Sequence, residues 1–127
     1  MIKDNVKADV ILTEKEILAG KHLAVAQRIL DEINKGEHLI GLENERENGE
    51  GLTVNDVSPG GFSIYDTEAV YGDFWYGISI QYSAFVNKMF LLVVGNSIDD
   101  ETVKNCEEEL KGIVDKYLDG VKIIVER

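Results

Sequence analysis

One segment of the chain leaves little freedom in how it folds. Thr13-Glu14-Lys15-Glu16 has the pattern of a capping box, in which the Thr13 hydroxyl accepts from the Glu16 amide and the Glu16 carboxylate reaches back to Thr13. Rotating 100° per residue, Leu18, His22, Val25, Ile29 and Ile33 form an apolar stripe that Ala19, Leu23, Ala26 and Leu30 widen. Lys21, Gln27, Arg28, Asp31, Asn34 and Lys35 fall on the opposite arc, and Gly36 stands where a left-handed helix C-terminal cap is wanted. The pattern predicts a core-packing helix from residue 14 to about residue 35, which must find a sheet or a second helix to cover it.

The rest of the sequence supplies both. Val6 to Leu12 alternates small or apolar residues with charge, the mark of a half-buried strand. Glu37 to Leu42 reads as a short strand, followed by a solvated polar loop from Glu43 to Gly51. Leu52 to Val57 alternates weakly, and Ser58-Pro59-Gly60-Gly61 is a turn that makes Phe62 to Tyr65 a hairpin partner. From Phe74 to Tyr82 the alternation is clear: Phe74, Tyr76, Ile78, Ile80 and Tyr82 point one way, while Trp75, Ser79 and Gln81 point the other. Asn87-Lys88 suits a tight turn, and the unbroken run Met89 to Val94 predicts a central strand covered on both faces. Ser97 or Asp99 caps a second helix, with Asp99, Asp100 and Glu101 in its first turn where the helix dipole favours acids. Val103, Cys106, Leu110, Ile113, Val114 and Tyr117 give that helix one buried stripe; Gly120 ends it, and Val121 to Val125 reads as a last strand.

These elements predict a single α+β domain over residues 1–127, an antiparallel sheet of about five or more strands with two amphipathic helices. An elaborated ferredoxin-like βαββαβ sandwich fits the order, and a plain meander flanked by two helices is the alternative. A chain of 127 residues with a 44% hydrophobic fraction is the size of one such domain and can build a core.

Charge narrows the partners. The chain carries −11 overall, and the acids are concentrated. From Glu43 to Asp73 eight acids face one base, a net of −7, and from Asp99 to Asp119 eight acids face three lysines, a net of −5. Nucleic acid and anionic membrane both require clustered Lys and Arg, so a basic protein is the better match. The polar N-terminus has no apolar signal-peptide core, the longest apolar run is far short of a membrane span, and the lone Cys106 excludes an internal disulfide. A cytoplasmic setting is the simplest expectation.

No catalytic constellation emerges, no cofactor motif is present, and no resident metal is expected. His22 lies on an apolar stripe and reads as a core histidine bonded to backbone; its sixteen-residue separation from His38 matches no ligand signature. Cys106 is followed by three glutamates, which raise a thiol pKa rather than lower it. A calcium loop starting at Asn44 fails, because Asn55 stands where a bidentate Glu is required. The residues that remain are Asp66, Glu68, Tyr71, Asp73 and Trp75, large rings among carboxylates, the composition of a protein-binding patch. The leading expectation is therefore an acidic module that masks or neutralises a basic protein, as immunity proteins and inhibitors do. The alternatives are a homo-oligomeric accessory subunit, with a homodimer as its simplest form, and a small-ligand or enzymatic domain with an aromatic-lined cleft.

Overall fold

The structure, a computed structural model, describes residues 13–44, 51–67, 77–95 and 98–127. Among the described residues, three helices, α1 (Glu14–Lys35), α2 (His38–Asn44) and α3 (Asp100–Val114), accompany a five-stranded sheet. Its strands, β1 (Thr53–Ser58), β2 (Gly61–Tyr65), β3 (Gly77–Ser83), β4 (Lys88–Val94) and β5 (Lys122–Glu126), lie side by side in chain order. The first four form an antiparallel meander, and β5 runs parallel to β4. Parallel neighbours need a crossover connection, and α3 supplies it. The α+β class is as expected. The sheet is mixed rather than wholly antiparallel: β1 to β4 follow the meander alternative, and β5, returning parallel after α3, departs from it; the first strand of a ferredoxin-like sandwich, Val6 to Leu12, lies outside the described residues.

The core forms where one sheet face meets the helices. Phe62, Ile64, Ile78, Ile80, Tyr82, Met89, Leu91 and Val93 share a face by register and are buried, together with Ala26, Ile29, Leu30 and Ile33 of α1 and Val103, Cys106, Leu110, Ile113 and Val114 of α3. The capping box at Thr13 is formed, with Glu16 N–H donating to the Thr13 hydroxyl at 3.1 Å. The buried stripe of α1 begins only at His22, and Leu18 and Leu23 are 41% and 44% exposed. The stripe is thus read correctly in period but too long at its N-terminal end.

Three readings are corrected. Gly36 caps α1 in extended backbone, φ −83° and ψ −176°, rather than in the left-handed conformation. Residues 37–42 are not a strand: α2 starts at His38, because the Glu109 carboxylate of α3 accepts the backbone N–H groups of Glu37, His38 and Leu39 at 3.1, 2.9 and 3.2 Å. That carboxylate satisfies amides that a helix start leaves open, and Leu39 and Leu42, one turn apart, are buried. Gly36 leaves the room, since a Cβ there would stand 2.5 Å from Glu109 Oε1. The run Met89 to Val94 is not fully buried on both faces either. Met89, Leu91 and Val93 are buried, whereas Phe90, Leu92 and Val94 on the opposite face are half-buried. β4 is an internal strand, lying between β3 and β5, but the described helices pack on one side.

Candidate functional site

The face of the sheet away from the helices carries an open groove at the end where two turns meet. It encloses about 320 Å³ between β1, β2, β3 and the β3–β4 turn. Its wall includes Asp56, Ser58, Ser63, Gln81, Ser83 and Phe85. Ser63 pairs with Gln81 and Gly61 with Ser83, which places these residues on the face opposite Ile64 and Ile80.

Each part of the groove has a local cause. The register of β1 against β2 shifts between Asn55 and Ser58, and Asp56 there adopts φ 55°. A bulge of this kind bends a strand and re-aims a side chain; here the re-aimed group is an exposed carboxylate. The Tyr65 phenol is pushed above its usual value first by burial, then by the Asp56 charge and a hydrogen bond to that carboxylate. On the far side, Ala84 N–H donates to Gly60 O at 2.8 Å, tying the β3–β4 turn to the β1–β2 turn. Gly61 permits this approach: its φ is +147°, and a Cβ would lie 1.9 Å from Tyr82 O. The Phe85 ring lies against Gly60, where a Cβ would come within 2.6 Å of the ring, yet it is 86% exposed.

Behind the groove, on the helix side, His22 holds the same turn. Its Nδ1 is 2.8 Å from Ser58 O, the arrangement of an Nδ1–H donor, and its ring meets Tyr82 edge-on at 5.9 Å. This is the backbone-bonded core histidine that the sequence suggested. Tyr82 O–H donates to Asn87 Oδ1 at 3.1 Å, and Asn87 Nδ2 donates to the carbonyls of Asp119 and Gly120. The tip of the meander is therefore pinned to α1 on one side and to the α3–β5 connection on the other.

Of the residues singled out for partner binding, Asp66 is 3% exposed and accepts from Gly51 N–H at 2.8 Å, at the point where the chain enters β1. Glu68, Tyr71, Asp73 and Trp75 lie outside the described residues. His38 sits at the N-terminus of α2 on the Glu109 carboxylate, and no group of three His, Cys, Asp or Glu among the described residues is arranged to hold a metal. Cys106 is fully buried, and burial, then Glu109, push its thiol up to about 11. Sequence reasoning missed the groove. Its one available signal was the pair Phe85-Val86 immediately before Asn87, large apolar residues at a position the turn would expose.

No helix among the described residues is long and apolar enough to cross a membrane. No protein-family model, curated protein or solved structure matches the chain.

Proposed function

We propose that the protein is an acidic binding module for a basic protein partner, and that the groove at Asp56 and Phe85 receives a lysine or arginine side chain of that partner. The observation that carries this reading is Phe85, an aromatic ring left in water at the rim of a groove whose wall holds an exposed carboxylate. A guanidinium or ammonium placed between them gains a charge-assisted bond to Asp56 and a cation–π contact with Phe85. The Ser and Gln oxygens of the wall accept remaining N–H donors. The overall charge of −11 steers such a partner inward. Masking a basic surface, in the manner of immunity proteins and inhibitors, is the role that this chemistry serves.

Titrating isotope-labelled protein with Nα-acetyl-arginine amide tests the idea, with the norleucine analogue as neutral control. Amide shifts centred on Ser58, Gln81, Ser83 and Phe85 are expected with the arginine compound alone. They should vanish in Asp56→Asn, which removes the charge while keeping a residue tolerant of positive φ, and weaken in Phe85→Ala. Equal responses to both compounds, or shifts centred on α3, would show that the groove is not a cation site.

A further inference from the structure

The β5 edge carries a second surface, distinct from the groove. Lys122 N–H donates to Asn87 O at 3.3 Å, so Lys122 faces β4, and by the two-residue period Ile124 and Glu126 do as well. The peptide groups of Ile123 and Val125 therefore point away from the sheet, along an edge that no other described strand pairs. Such an edge is a template for another strand unless its side chains repel one.

Its side chains do the opposite. Lys122, Ile124 and Glu126 line the face away from the helices, beside Lys88, Phe90 and Leu92 in register. Lys88 and Lys122 are thus direct neighbours of like charge, and neither they nor Glu126 make an ion pair with any described residue. Phe90, Leu92 and Ile124 form a half-buried apolar strip that runs to the edge.

We propose that β5 pairs antiparallel with β5 of a second copy of this chain, about a two-fold axis through Ile124. Outward-facing Ile123 and Val125 then exchange hydrogen bonds with Val125 and Ile123 of the copy, which requires no slip from the observed backbone phase. Ile124 meets its own counterpart, and Lys122 meets the copy's Glu126. These last two are non-hydrogen-bonded pairs, in which side chains approach most closely. Opposite charges placed symmetrically about an apolar centre suit an isologous contact, in which one patch must complement itself. Each incoming carboxylate also offsets the Lys88–Lys122 repulsion. Axes one residue to either side are compatible with the same backbone phase, but they set Lys122 or Glu126 against Ile124, so charge selects the register.

Sedimentation of the full chain should give a species of twice 14.2 kDa at high micromolar concentration. Lys122→Glu and Glu126→Lys should each weaken association about tenfold, the equivalent of about 1.4 kcal/mol, and the double exchange K122E/E126K should restore it. Restoration cannot come from a folding defect. Amide exchange at Ile123 and Val125 should slow as concentration rises, while Ile124 stays protected throughout. A monomer at these concentrations, whether because residues 1–12 occupy the edge or because nothing does, overturns the proposal. A dimer indifferent to the single reversals overturns it too. Neither result bears on the arginine titration, which reads a different surface.

Discussion

Glu109 shows how much one side chain can decide. It lies 70 to 72 positions from the amides it accepts, so no local reading of residues 37–42 can find it. With the carboxylate in place, the run Leu39-Ile40-Gly41-Leu42 becomes a helical turn. Without it, three N–H groups lose their acceptor. Removing a helix cap typically costs about 1 kcal/mol, up to about 2. Glu109→Ala is therefore expected to lower stability by about 1–2 kcal/mol, measured by urea unfolding. Gly36→Ala should cost a similar amount by displacing the same carboxylate, and the two losses should be less than additive because they remove one interaction.

At the scale of elements, α1 separates what periodicity can say from what it cannot. Leu18, Leu23 and Ile29 are equivalent as members of an apolar stripe, but only Ile29 is buried. The period reports which side of a helix faces the core, not how far along the helix the core extends. Ile29→Ala should accordingly cost about 2–5 kcal/mol, and Leu23→Ala no more than about 0.5 kcal/mol, compared by thermal or urea denaturation. The strands follow the same division. Alternation from Ile78 to Tyr82 foretold the buried side of β3, and the turn at Pro59-Gly60 foretold the β1–β2 hairpin. The run in β4 misled, because apolar residues on both faces of a strand do not reveal whether two layers exist to cover them. The groove stayed hidden for a related reason: it is made by a bulge at Asp56 and a contact between two turns, neither of which has a sequence period.

For the whole molecule, polar ties bind the helical layer to itself and the last strand to α3. Lys116 Nζ donates to Glu32 at 2.7 Å and the Tyr117 hydroxyl to the same carboxylate at 3.2 Å, joining α1 to the turn after α3. Arg127 reaches Asp100 and the Ile98 carbonyl, joining the end of β5 to the start of α3. The Lys116 ammonium holds the Glu32 carboxyl below its usual range, and the Thr102 side chain, followed by the Thr102 amide, does the same for Asp99. A carboxyl depressed in the folded state stabilises above its unfolded pKa, and that contribution is lost as pH falls through the folded value. Stability should therefore decline below about pH 4, and the decline should be shallower in Glu32→Gln or Asp99→Asn when unfolding free energy is followed against pH.

The proposed pairing of β5, along an edge that no other described strand covers, has a consequence for binding strength. A two-fold axis through Ile124 stands perpendicular to the sheet, so the paired molecule would keep both helical layers on one side and both grooves on the other. Counting strand spacings of about 4.8 Å from β2 of one copy to β2 of the other, the grooves would lie roughly 35 Å apart. A partner with two basic projections at that separation would engage the second at a high effective concentration once the first is seated, and weak single contacts at Asp56 and Phe85 would combine into a slow-dissociating complex.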